Sequence, residues 1–367
     1  MVVLVVFSFF ISAIAAYVVI RLARRHARRY AHDMPQRFHR GHVPRIGGVG
    51  IFFGLVLAWA YAGTPQAASL NVDWRANSTF LWLMAMCMAP AVFAGIAEDM
   101  TQRLRARLRL GLTALSAVLL CWLLNLSVRR IGFAPLDHWL QTVPLVAVVF
   151  AMVAIAGLPH AFNLIDGYNG LAGMVAILIS LALVHVALQV GDRQLAAMLV
   201  CLVGATGGFL LWNYPYGKIF AGDGGAYVWG LVIAVACVLL VQRHPTVSPW
   251  FPMLLLIYPV SETLFSVYRK LARGQSPSMA DALHLHQLIF RRLVRVVFED
   301  DEASDLLARN NRTSPYLWIF SLLTVVPAVM FWNNTPVLAA FCALFVVSYV
   351  GAYLMIIRFK VPRWLGK

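Results

Sequence analysis

Eleven apolar runs of 17 residues or more follow one another along this chain, at 2–20, 46–63, 79–97, 110–126, 143–159, 171–190, 195–212, 225–242, 250–268, 316–332 and 337–357. A helix that rises 1.5 Å per residue crosses the hydrocarbon core of a bilayer in about 20 residues, so each run is long enough, or nearly so, to span one. A water-soluble chain of 367 residues would not be 61% hydrophobic and only 12% charged. In hydrocarbon every backbone N–H and C=O must be satisfied within the protein, and runs of this length meet that demand as helices. The fold expected is therefore all-α: a polytopic integral membrane protein with about eleven transmembrane helices, forming one domain over 1–367. The first run carries no basic residues before it and an arginine cluster after it, the pattern of an anchor and not of a cleaved signal. The five cysteines (Cys87, Cys121, Cys201, Cys237, Cys342) all fall inside apolar runs without CxxC spacing. They read as small hydrophobes, neither disulfides nor zinc ligands.

The connecting loops alternate between two sides with very different charge. Loops 21–45, 98–109, 160–170, 213–224 and 269–315, with the tail 358–367, hold 25 of the 30 Lys and Arg. The opposite loops hold Arg75, Arg129, Arg130, Arg193 and Arg243. Basic loops stay in the cytoplasm, so the N-terminus is expected outside and the C-terminus cytoplasmic. The net charge of +15 then reflects topology and attraction to anionic membrane lipids, and no nucleic acid is expected as partner.

Four polar clusters lie on the basic side: Pro44-Arg45-Ile46-Gly47-Gly48, Glu98-Asp99, Asp166 with Asn169, and Gly222-Asp223-Gly224-Gly225. Each precedes an outward-running span, so four helix N-termini are expected to aim free N–H groups and partial positive charge at one region. Such an arrangement suits phosphates. Carboxylates among phosphates call for a divalent cation, of which Mg²⁺ is the usual choice. Phosphoryl transfer is the chemistry this set describes. Taken alone, Asp166 or Asp223 reads equally as a helix cap. Glu262 lies deep in the ninth run, with Arg269 as its expected structural partner. In the long loop, His284-Leu285-His286 precedes Arg291, a spacing better suited to phosphate or sugar contact than to zinc. Leu285, Leu288, Ile289 and Leu293 recur there at helical spacing, so part of this loop is expected to lie flat on the membrane.

In their order along the chain these pieces resemble the bacterial polyprenyl-phosphate N-acetylhexosamine-1-phosphate transferases. The resemblance runs from His39-Arg40-Gly41 and Val43-Pro44-Arg45-Ile46-Gly47-Gly48, through Gly95-Ile96-Ala97-Glu98-Asp99 and Phe162-Asn163-Leu164-Ile165-Asp166-Gly167-Tyr168-Asn169-Gly170, to Phe220-Ala221-Gly222-Asp223-Gly224-Gly225 and His284-Leu285-His286. It implies transfer of a HexNAc-1-phosphate, GlcNAc-1-phosphate foremost, from a UDP-N-acetylhexosamine to undecaprenyl phosphate at the cytoplasmic face of a bacterial inner membrane. UMP would be released, as the first step of O-antigen, capsule or related envelope glycan synthesis. It further implies Mg²⁺, with Mn²⁺ able to substitute, on Asp223, and catalytic roles for Glu98, Asp99 and Asp166. Substrate contacts would come from Arg40, Asn163, Leu164, Asn169, Asn213, Phe220, His284, His286 and Arg291, the uracil ring lying near Leu164, Asn169, Asn213 and Phe220. The chain departs from the family in carrying Glu98 where Asp is common, Gln102 and Gln287 at positions often Asp and His, and Arg40 where Lys is frequent. The consecutive histidines of the related phospho-N-acetylmuramoyl-pentapeptide transferases are absent, which argues against that donor. A lipid or solute transporter is the rival from another class, but it would need polar residues at mid-depth and on both faces. Monomer and homodimer both stay open.

Overall fold

A computed structural model of the chain describes residues 1–27, 42–64, 78–276, 283–294 and 306–357. Every regular element among them is helical: α1 Val2–Ala27, α2 Gly47–Ala62, α3 Ser78–Thr101, α4 Ala106–Leu123, α5 Ala134–Thr142, α6 Pro144–Ile165, α7 Leu171–Gln189, α8 Arg193–Asn213, α9 Gly222–Arg243, α10 Trp250–Ala272, α11 Leu285–Leu288, α12 Leu306–Met330 and α13 Thr335–Ile357. Ten of these are long and apolar enough to cross a membrane. The eleventh apolar run, α2, has 16 residues, about 24 Å at helical rise, a few ångströms short of a full crossing. The chain is thus a multi-pass membrane protein with all eleven runs helical.

Helix α9 is the axis of the bundle. Some 94% of its membrane-length window is buried, against 33% for α1 and 22% for α13. A helix apolar all round belongs inside its bundle, and α9 is wrapped by α2, α3, α6, α7 and α8. The outer helices expose Leu, Val and Phe side chains, as lipid-facing surfaces do. All five cysteines are free and buried, as expected of small hydrophobes.

Antiparallel alternation brings the starts of α2, α4, α7 and α9 to the same end as the finishes of α3, α6 and α10. The other end is held by side chains that cap helix ends. Arg130 Nη2 donates to three carbonyls at the end of α9, those of Val241 (3.0 Å), His244 (2.9 Å) and Val247 (2.7 Å). Asp192 caps α8 by accepting the Leu195 N–H (2.9 Å), and it also pairs with Arg243 (3.2 Å) and His244 (3.1 Å). The short helix α5 sits in the α4–α6 connection, where Asp137 accepts the N–H groups of Ile131 (2.6 Å) and Gly132 (3.2 Å). Hydropathy does not reveal a nine-residue amphipathic helix in a loop.

The described part of the long loop does not lie flat on a membrane. Leu285, Leu288 and Ile289 are buried, and the segment packs on α12 and α13. Their apolar face is covered by the bundle itself.

Candidate active site

The site is built around the first turn of α9. Gly222 has φ +69°, and a side chain there would fall on the Arg45 carbonyl and the Asp99 carboxylate. Only glycine lets the chain enter α9 at this point. Asp99, buried at the end of α3, then caps the helix from a distance of 124 residues: its Oδ1 accepts the Asp223 N–H (2.8 Å) and its Oδ2 the Gly224 N–H (2.9 Å). Two further glycines let neighbouring helices close in. A Cβ on Gly95 of α3 would lie 2.6 Å from the Gly224 nitrogen, and one on Gly48 of α2 would strike Gly225. Small residues at crossing points are how membrane helices come this close.

These contacts change the electrostatic reading of the site. The free N–H groups expected at α2 and α9 are already used: Gly47 donates to the Phe220 carbonyl and Gly48 to that of Ala221, both at 2.9 Å. Asp99 takes the pair at α9. Glu98-Asp99 does not open a helix either, since it lies in the last turns of α3. Glu98 Oε2 instead accepts the Leu104 N–H (2.7 Å) and closes the turn into α4. At α2 and α9, positive charge for an anion must therefore come from side chains and not from the helix ends.

Arg109, in the first turns of α4, is ion-paired with Asp223 Oδ2. Asp223 Oδ1 accepts Asn163 Nδ2 (2.7 Å), and its Oδ2 also accepts the Tyr227 hydroxyl (3.3 Å). One turn deeper, the His160 ring packs edge-on to Tyr227 at 5.3 Å, and its Nε2 lies 2.9 Å from Thr113 Oγ1. Arg109, Asn163 and Tyr227 thus surround Asp223 from three helices. The sequence reading missed Arg109 because its charge had a sufficient explanation in topology.

Asp166 ends α6 beside this group. Burial pushes its carboxyl up to about 7; Arg45 opposes the rise, Asp223 adds to it, and a hydrogen bond from the Gly222 backbone opposes it. A carboxyl whose charge a neighbouring carboxylate disfavours, with hard oxygen donors, fits a divalent cation held by one or two protein oxygens and completed by a phosphate ligand. No group of three or more His, Cys, Asp or Glu side chains that could close around a metal occurs among the described residues.

The remaining candidates form an adjoining layer. Asn213 Oδ1 accepts the Gly170 N–H (2.6 Å) and its Nδ2 donates to the Ile219 carbonyl (2.8 Å), so both ends of the amide hold backbone. Asn169, 2% exposed, takes its backbone and Nδ2 contacts from Asn310 (2.8 Å), Asn311 (2.9 Å) and Ser314 (2.6 Å) of α12. Its Oδ1 is buried without a hydrogen-bond partner in the described structure. Phe220 and Leu164 are half-buried nearby, and Arg291 is exposed. His284 and His286 are buried, at 4% and 1% exposure, and contact protein. The partner of Glu262 is not Arg269, whose guanidinium stacks over Phe265 (4.9 Å) and Tyr353 (4.8 Å). Glu262 instead holds His284 (3.1 Å) and Tyr349 (2.6 Å). Arg40 and the rest of His39–Gly41 lie outside the described residues.

The arrangement supplies cations for phosphate, carboxylates for a metal, and a buried polar layer beside them, all at one end of the bundle. The model of "Glycosyl transferase family 4" matches residues 81–241, the stretch that carries Asp99, Arg109, Asp166 and Asp223. An undecaprenyl-phosphate alpha-N-acetylglucosaminyl 1-phosphate transferase of Thermotoga maritima is 26% identical over 258 residues, 70% of this chain and 72% of its own length. A probable undecaprenyl-phosphate N-acetylglucosaminyl 1-phosphate transferase of Bacillus subtilis is 25% identical over 288 residues, covering 77% and 76%. The Yersinia pestis protein of the former name is 26% identical over 261 residues, covering 69% and 67%. With the family model falling on the helices that build the site, the chain is a membrane-embedded transferase that is similar over residues 81–241 to glycosyl transferase family 4.

Proposed function

We propose that this transferase moves a HexNAc-1-phosphate, with GlcNAc-1-phosphate as the first candidate, from a UDP-sugar to undecaprenyl phosphate. The single observation that carries the reading is the convergence of Arg109, Asn163, Asp166 and Asp223 at the site end of the bundle, where a lipid-held phosphate can meet a soluble nucleotide. An oxygen of the lipid phosphate attacks the sugar-bearing phosphorus. A new P–O bond forms as the bond to the UMP oxygen breaks, and UMP leaves. The acceptor is already an anion at neutral pH, so alignment and charge stabilisation carry more of the barrier than proton removal does.

Arg109 and Arg45 neutralise phosphate charge that the used-up helix ends cannot. Asp223 and Asp166 would hold Mg²⁺, with Mn²⁺ as substitute, and the bound cation would supply Lewis-acid stabilisation of the phosphoryl oxygens. Asn163 keeps Asp223 oriented. Asp99 and Glu98 act through the backbone they cap, as scaffold for the first turn of α9 and for the α3–α4 turn. Asn169 Oδ1 is an acceptor suited to a ring N–H such as that of uracil, with Leu164, Phe220 and Asn213 shaping that side. Arg291, exposed beside this layer, suits the donor's phosphates. The reaction belongs to the cytoplasmic face of a bacterial inner membrane and to the start of O-antigen or related glycan synthesis.

The test is UMP release by purified protein with Mg²⁺, undecaprenyl phosphate and a panel of UDP-sugars. Lipid-dependent release from one N-acetylhexosamine donor is expected. Release from none of them, by folded protein, would overturn the reading.

A further inference from the structure

Glu262 has no exposed surface, yet three polar groups from two separate parts of the chain converge on it. Its Oε1 accepts the Leu285 N–H (2.8 Å) and lies 3.1 Å from His284 Nδ1, while its Oε2 accepts the Tyr349 hydroxyl of α13 (2.6 Å). A carboxylate that accepts from all three must be met by a His284 ring with its proton on Nδ1. The network fixes the seat of the His284 ring.

The contacts continue from there. The His284 ring stacks on His286, with centroids 5.3 Å apart and planes 11° from parallel. His286 stands edge-on to Tyr168 at 5.6 Å. A Cβ built on Gly167 would come within 3.0 Å of His286 Nε2, so the ring rests against the backbone of the residue next to Asp166. Both imidazoles are buried, and it is His286 that touches the Asp166–Gly170 loop.

We infer that Glu262 is a positioning residue: through His284 and His286 it fixes where the Asp166–Gly170 loop, and with it the Asp166 carboxylate, sits relative to Asp223. This rests on the phosphoryl-transfer reading given above. The geometry gives the His-x-His segment a supporting task, with Glu262 as the anchor that keeps the imidazole stack in register. Orienting carboxylates of this kind typically change activity by about 10- to 100-fold when they are removed.

The experiment uses the full-length protein in detergent. Glu262→Gln keeps shape and one acceptor but turns an N–H₂ toward a donor. Expected are a kcat about 10- to 100-fold lower, KM values for both substrates within about twofold of wild type, and a Glu262→Gln/His284→Ala double variant no slower than His284→Ala alone. Wild-type kcat in folded Glu262→Gln, a loss confined to KM, or additive losses would each overturn the inference. Should Glu262→Gln not fold, His284→Asn retains a donor near the Nδ1 position and removes the stacking ring. It is expected to match His284→Ala in kcat, and wild-type kcat in it would overturn the relay. If the wild-type protein turns over no UDP-sugar, the functional reading fails by itself, and ¹⁵N spectra of the histidines then decide. A protonated Nδ1 at His284 that is lost in Glu262→Gln supports the anchor; its absence from wild type overturns it.

Discussion

Arg109 and Asp223 hold each other across two helices, and a cation that binds Asp223 has to share it with the guanidinium. Arg109→Ala should therefore lower the Mg²⁺ concentration that gives half-maximal activity while slowing turnover, because the competitor is lost together with a phosphate-neutralising charge. A Mg²⁺ titration of UMP release reads both effects; an unchanged half-saturation would show that Arg109 does not compete for the carboxylate. Asp223→Asn should lower kcat by roughly 100-fold or more, the scale seen when a charge-stabilising group is removed from a reaction centre, with the unfolding midpoint nearly unmoved. Near-normal activity with Mg²⁺ would take the metal away from Asp223. At this scale the sequence is a partial guide. It marks Asp99 as half of an acidic pair and Asp223 as a carboxylate among glycines, but it does not show that Asp99 spends both oxygens on the backbone of α9. That cap spans 124 positions and exists only once α3 and α9 have packed. Arg109 was hidden for the opposite reason, since one arginine among four in a short basic loop carries no local mark of a special partner.

Among the elements, the eleven apolar helices were legible because the bilayer sets their length and composition. Their polar ends were less so. Their pattern describes open anion sites, whereas the pairing of 44–48 with 220–221 fills the start of α2 and Asp99 fills that of α9. Two predictions belong here. Gly95→Ala puts a Cβ against the backbone of Asp223 and Gly224, which cannot swing aside as a side chain would. It should cost about 1–3 kcal/mol of stability and more than its share of activity, because the residue it displaces is Asp223. Thermal unfolding and UMP release on the same sample separate the two losses; a stable, fully active variant would mean the helices part freely. At the far end, burial tends to raise the Asp192 carboxyl. The Leu195 N–H, His244 and Arg243 outweigh that effect and hold the carboxyl below its ordinary value. Its stabilisation is thus full above about pH 4 and fades as pH falls through the lowered folded value. Asp192→Asn keeps a capping side chain and removes the charge, so its unfolding midpoint should lie below wild type at pH 7 and converge on it as pH falls below the lowered folded value. A gap that persists in acid would point to lost packing.

For the whole molecule, sidedness remains an expectation of the charge pattern, and the buried cysteines make it easy to check. An introduced Gln141→Cys in the α5 segment should react with an impermeant maleimide in intact cells, and Arg105→Cys at the site end should react only after the membrane is opened. The reverse result would invert the topology. The enclosure of α9 bears on how such a protein behaves outside its native membrane. A helix that never meets lipid does not feel bilayer thickness, acyl-chain composition or the detergent that replaces them. The helices that do include α13, and also α4, which carries Arg109 and is only 28% buried over its membrane-length window. Solubilisation should therefore leave the first turn of α9, with Asp223, intact, and a preparation that loses activity in micelles should recover it when acceptor lipid is supplied at higher density. In that sense the buried helix insulates the chemistry from the solvent in which the protein is dissolved.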